Sequence, residues 1–281
     1  MQKTYPLLVV GLLLLLNPVP AVAFELDFDK EVLHIPETHE TDAYIRDVPT
    51  NPDDYRLQLK KEPQPAEFSL LVSHTDEATI DEVHVFVTDA DFEHFSHIFA
   101  RKKEAGRYGF AFDPPEKDEY RFEMMLKTTA GWVKSGETMD LEAAPGQPAS
   151  EIKDRSGYEV IIRKFPPRIY VDHVATLVFE IIYNDTLVTD LEPIHGSEIH
   201  LAAWSSSFFT RFGRFTYAAA SQNLGGPEAG VSLVFKDNGR HKVFATFKHR
   251  GQIRTVETEF KVFLEPERGF GKIYQVPPAV D

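Results

Sequence analysis

The chain has no cysteine in 281 residues. That excludes a disulfide framework, thiolate-ligated zinc or iron–sulfur centres, and any thiol nucleophile. Basic residues are scarce as well: 30 Lys and Arg stand against 44 Asp and Glu, a formal charge of −14. A nucleic-acid binder needs a basic face, so no nucleic-acid partner is expected. No stretch carries a convincing helical period, which argues against helical and α/β folds. Also missing are the nucleophile elbow, H-E-x-x-H, the P-loop and G-x-G-x-x-G, so no enzyme class announces itself.

What is present is a globular composition, 42% apolar and 26% charged, in a length suited to one large or two ordinary domains. Residues Met1 to Ala23 have a basic start at Lys3, an apolar run from Leu7 to Leu16, and an Ala21-Val22-Ala23 end. These are the three parts of a secretory signal peptide. The apolar run is about half the ~20 residues of a spanning helix. Cleavage is expected between Ala23 and Phe24, with no transmembrane anchor afterwards and a periplasmic or secreted location.

Beyond the signal peptide the composition divides the chain. Residues 24–62 form an acidic, proline-dotted leader of net charge −6, and 63–142 a strand-rich region of net charge −9. Residues 143–157 read as a Pro/Gly/Ser linker, 158–264 as a second strand-rich region of net charge +1, and 265–281 as a tail. Strand signals recur at short, even spacing in both regions, as in Glu82 to Thr88 and Ala175 to Tyr183, with turn residues between them. The fold expected is all-β: two tandem immunoglobulin-like β-sandwiches. The halves also resemble each other. Asp118-Glu119-Tyr120-Arg121-Phe122 answers Gly239-Arg240-His241-Lys242-Val243, and each is preceded by a strand with a histidine at a matching place, His84 and His200.

Among the 11 histidines the candidate metal ligands are His84, His97 and His94. A hairpin centred on Ala90-Asp91 sets His84 opposite His97 and Phe86 opposite Phe95, close enough for two imidazoles to share an ion. His94, three residues from His97, faces the other way in a regular strand and joins only through a bulge or the turn. Glu82 lies on the His84 face as an oxygen donor, and Met124-Met125 offers soft sulfur for Cu(I), with nothing to place it nearby. The competing reading makes His84 and His97 structural, stacked beside Phe86, Phe95 and Phe99. His173, His195, His241 and His249 have no partner at ligand spacing and read as structural or surface residues. The run from Phe208 to Tyr217 is too aromatic for one buried strand face. Arg211, Phe212, Arg214 and Phe215 therefore form a candidate protein-contact patch, unless the strand is buried between the two domains.

Some of these segments carry a family resemblance. Thr176-Leu177-Val178-Phe179-Glu180, then Leu187-Val188-Thr189-Asp190-Leu191-Glu192-Pro193, then Ser197-Glu198-Ile199-His200-Leu201 resemble the secreted YtkA-like β-sandwich family, which is related to the FixH-type domain. In the first region His84, Phe95-Ser96-His97-Ile98-Phe99-Ala100 and Asp118-Glu119-Tyr120 match its middle part. The resemblance implies periplasmic metal handling, often of copper. The chain departs from it where Phe99 replaces a histidine and where Phe212-Gly213-Arg214-Phe215 stands in place of both histidines of the second copy. The function expected is a non-enzymatic binding or assembly module of the bacterial cell envelope with a protein partner. The alternative is a periplasmic copper-binding or delivery protein using the first-domain histidines.

Overall fold

The computed structural model describes residues 55–74, 80–129, 131–144, 157–206, 212–220 and 228–264. The expected signal peptide, most of the expected leader, the linker core, the tail and Arg211 lie outside the described residues. The described part is all-β, and no helix in it is long and apolar enough to cross a membrane.

The first sandwich is built from β1 (Tyr55–Lys61), β2 (Glu67–His74), β3 (Ile80–Asp89), β4 (Phe95–Phe99), β5 (Arg101–Glu104), β6 (Arg107–Ala111), β7 (Asp118–Thr128) and β8 (Gly131–Leu141). They form two antiparallel sheets of order β1-β2-β6-β5 and β4-β3-β7-β8. The second strand bonding the sixth, and the third the seventh, is the Greek-key exchange of an immunoglobulin-like sandwich. Tyr55–Lys61, read from sequence as leader, is thus the first strand of this domain. Its Tyr55 and Leu59 are buried in the core beside Phe68, Leu70, Phe122 and Leu126.

The second sandwich comprises β9 (Tyr158–Phe165), β10 (Ile169–Tyr170), β11 (Val174–Tyr183), β12 (Thr186–Leu187), β13 (Ile199–Ser205), β14 (Phe215–Ala219), β15 (Glu228–Val234), β16 (Gly239–His249) and β17 (Gln252–Phe263). One sheet runs β10-β17-β16-β13-β14; in the other β11 pairs with β9, β12 and β15. β11 shows why these residues make strands. Ala175, Leu177, Phe179 and Ile181 alternate inward at a period of two, and β-branched residues fill much of the rest. The Asn184-Asp185 step that follows has positive φ at both residues, the geometry of a two-residue hairpin turn.

The copies match in register. β7 and β16 are 11 residues each, and their buried positions fall in nearly the same pattern. Asp118↔Leu141 and Thr128↔Gly131 in the first hairpin correspond to Gly239↔Val262 and His249↔Gln252 in the second. Tyr120, fully buried at the start of β7, donates its hydroxyl to the Glu116 carbonyl at 3.0 Å, a tyrosine corner. His241 fills the same position in the second copy and reaches the Gly239 carbonyl through Nδ1 at 3.3 Å.

β3 and β13 break the alternation. Val83 to Asp89 and all of β13 are buried on successive residues. A strand covered on both faces reads as a continuous apolar run. Here one face looks into the strand's own core, and the other is covered by the neighbouring sandwich.

Candidate metal centre

The two sandwiches meet sheet to sheet. Phe86, Phe95 and Met125 from the first pack with Ala202, Trp204, Phe215, Tyr217 and Phe244 from the second in one buried cluster. Phe95 stacks on Phe244 with ring centroids 4.2 Å apart and planes 3° apart. Phe86 meets Phe215 at 5.5 Å and Tyr217 at 5.2 Å. Each such aromatic pair adds roughly 0.5–1.5 kcal/mol beyond burial. Phe215 was a member of the candidate protein-contact patch. It is instead 3% exposed, against Trp204 at 4.7 Å, because β14 turns its outward face into this seam. Phe212 is half-buried with its ring 6.3 Å from Phe92, and Arg214 is exposed, 3.5 Å from Asp237.

Histidines from both sandwiches gather in the seam. The β3–β4 register sets His84 opposite Phe99, and Phe86 opposite His97. That is two residues from the sequence-derived register, because Ala90 to His94 make a longer connection capped by Asp89. The Asp89 carboxylate accepts the backbone N–H groups of Glu93 and His94. A slip of two keeps every side chain on its face, so His84 and His97 still meet, Nδ1 to Nε2, at 3.1 Å.

The third member is His200. His84 pairs with Met125 and His200 with Thr246, equivalent steps of the two copies. Across the seam the two rings lie 5.2 Å apart. His84 touches Tyr217 at 5.7 Å, while His200 touches His97, the residue equivalent to Tyr217, at 5.2 Å. Such reciprocal contacts are those of a two-fold interface. One ring nitrogen from each of His84, His97 and His200 falls within 4.8 Å of the others.

Their outer partners fix the protons. The His84 Nε2–H donates to Glu82 Oε2 at 3.1 Å, which leaves Nδ1 as a lone pair facing His97. The His200 Nε2–H donates to the Ile194 carbonyl at 2.8 Å, leaving Nδ1 to accept from the Tyr217 hydroxyl at 2.8 Å. These proton positions follow from the bonding network. A metal-bound imidazole typically gives its second N–H to a carboxylate or a backbone carbonyl. His84 and His200 each have that arrangement. Nitrogens bound tetrahedrally at 2.0–2.1 Å stand about 3.3 Å apart, close to the His84–His97 separation. His97 Nδ1 is buried with no hydrogen-bond partner.

The electrostatics keep these rings neutral. Burial pushes His84 down against the opposing pull of Glu82. Burial, then His200, His84 and His195, hold His97 well below the usual histidine range. Burial takes His200 down to about 4. For Glu82, burial acts upward, but hydrogen bonds from His84 and Lys127 and the Lys127 charge outweigh it and bring the carboxyl to about 2. Neutral imidazoles beside an ionised carboxylate are the protonation states that metal binding requires. Met125 is buried in the apolar part of the seam.

His94 does not join this group. It sits with Asp89 and Glu116, its Nε2 4.0 and 3.5 Å from their carboxylates, where the β3–β4 connection approaches the tyrosine corner. The three-residue step from His97 turns it away, as strand alternation requires. The cluster is therefore His84, His97 and His200. His200, Tyr217 and His195 were not singled out from sequence. The one available signal was the matching place of His84 and His200.

Residues 153–263, the second sandwich, match a family described as Domain of unknown function (DUF8832). No curated protein matches the chain. A tetra-tandem repeat from the extending region of a large adhesion protein is 14% identical, covers 74% of this chain and 49% of its own, and has a TM-score of 0.26. The FN1–FN3 domains of chicken CNTN1 are 10% identical, with 72% and 65% coverage and a TM-score of 0.24. Salmonella alpha-2-macroglobulin is 12% identical, with 75% and 15% coverage and a TM-score of 0.26. The chain thus spans about half the length of the adhesion-protein fragment and a small part of the macroglobulin. The sandwich assignment rests on the sheet orders above.

Proposed function

We propose that the chain is a non-enzymatic, exported binding module that holds a transition-metal ion, copper first, in the seam between its sandwiches. The observation that carries this reading is the convergence of His84, His97 and His200 ring nitrogens within 4.8 Å. Imidazole suits copper and zinc, and Cu²⁺ leads the divalent affinity order. The signal-peptide features of residues 1–23 support export to the periplasm or beyond. The YtkA-like resemblance supports metal handling there. A protein partner in the envelope is a weaker reading, since Phe215 of the Arg–Phe patch is buried in the seam.

The test is calorimetric titration of the purified protein, without its signal peptide, with Cu(II) and with Zn(II). One equivalent should bind tighter than micromolar. Loss of a ligand, as in His97→Ala or His200→Ala, should weaken binding by about 10-fold or more, as disturbing a metal site does. Absence of binding, or equal binding by both variants and wild type, rules the site out.

A further inference from the structure

His195 stands apart from the other seam histidines. It is exposed, whereas His84 and His200 are buried and His97 is half-buried. Its ring lies 4.5 Å from Phe99 and 5.8 Å from His84, centroid to centroid. Among the described residues no hydrogen bond engages its ring nitrogens. The backbone fixes this placement. Ile194 and Ser197 exchange both backbone hydrogen bonds, at 2.8 and 3.0 Å, and His195 and Gly196 between them both have positive φ. That is a tight two-residue hairpin turn of the primed type. The same turn supplies the Ile194 carbonyl that holds His200. One rigid device therefore orients a buried nitrogen donor and sets a free imidazole over the cluster.

A buried metal site needs an access path and a way to strip water from the incoming ion. Imidazole nitrogens do this by stepwise exchange, one water leaving as one nitrogen binds. We infer that His195 is the solvent-side capture ligand, taking the ion from water and passing it to His84, His97 and His200. The inference rests on the metal reading of that cluster. A capture ligand gives the ion a faster route in both directions. It changes the rates of binding and release together, and the affinity little.

The probe is Cu(II) alone, followed by stopped-flow fluorescence. Both tryptophans report on the site: Trp204 is buried in the seam cluster, and Trp132 packs on it with its ring 5.4 Å from His84. The variant is His195→Asn, because asparagine tolerates positive φ and keeps the turn. Association and dissociation rates should both fall by about tenfold, with the equilibrium affinity within roughly threefold of wild type. Unchanged rates with normal affinity overturn the inference and leave the buried site intact. Faster release with proportionally weaker affinity overturns it too, making His195 a resident ligand. No Cu(II) binding by the wild type removes the site itself. A His200→Asn variant, run alongside, should lose affinity rather than speed, which separates the two roles.

Discussion

His84 and His200 occupy equivalent positions of the two sandwiches and face each other across the seam with rings 5.2 Å apart. Their second contacts differ. His84 Nδ1 meets another imidazole, His97, while His200 Nδ1 meets the Tyr217 hydroxyl. The same strand position therefore meets an imidazole on one side and a phenol hydroxyl on the other.

Tyr217→Phe separates stability from binding. Deleting the hydroxyl leaves the buried His200 Nδ1 without a donor, at a cost of about 1–3 kcal/mol in the absence of metal. It also frees that lone pair. Urea unfolding should show the loss, and Cu(II) titration should show affinity equal to or tighter than wild type. Weaker binding in the variant would mean that the phenol itself is a ligand.

Acid should weaken the fold in a defined window. The His200 ring is held down to about 4 by burial, against an ordinary value near 6.5. Below 6.5 the unfolded chain takes up a proton that the folded chain refuses, so stability is full above that point and falls until about pH 4. The shift corresponds to roughly 3 kcal/mol from His200, and His84 and His97 act in the same direction. Glu82, depressed to about 2 from 4.5, adds a further decline between those values. Urea midpoints measured from pH 7.5 to 4 should hold level above about 6.5 and fall below it, and His200→Gln should flatten the fall.

Metal should bind the sandwiches to each other. Two ligands come from the first sandwich and one from the second, so an ion gripping all three favours the closed seam. At a hundredfold excess over Kd the gain is about 2.7 kcal/mol. Thermal unfolding followed at Trp132 and Trp204 should shift upward with Cu(II). In His200→Ala the shift should shrink to what the first sandwich alone can bind.

Phe95→Ala tests the seam without touching a candidate ligand. It removes the stack on Phe244 and leaves a cavity between sheets, at a cost of about 3–5 kcal/mol. Limited proteolysis should cut between the sandwiches sooner than in wild type. By contrast Tyr120→Phe should cost the first sandwich about 1–2 kcal/mol through its lost corner bond and leave the seam alone.

Much of the architecture was legible because strand physics is local. The β-branched alternation of β11 and the Asn184-Asp185 turn follow from periods and turn chemistry. β1 was not, since the exposed charges of Arg56, Lys60 and Lys61 made Tyr55–Lys61 look like the charged leader before it. The hairpin joining β3 to β4 was read two residues short because Asp89 caps a wider loop by accepting two backbone N–H groups, which no residue period reveals. The meeting of His84 with His97 survived that slip, since both stay on the same face. His200 was invisible as a candidate ligand for another reason. Its partners come from the other sandwich, and sequence spacing carries no information on which faces of two domains touch. Within the aromatic run that ends at Tyr217, Phe215 and Tyr217 are the trace of that contact, both buried between the domains.

The matched registers of β7 and β16 have one more consequence. When two separate identical chains pair about an axis, any residue change appears twice, once on each side. A single chain that carries both sides is free of that restriction. Here one side holds His97 and the other Tyr217, and one holds Phe86 where the other holds Ala202. Joining the halves covalently thus permits a lopsided site at a symmetric joint, which a homodimer of either half alone cannot build.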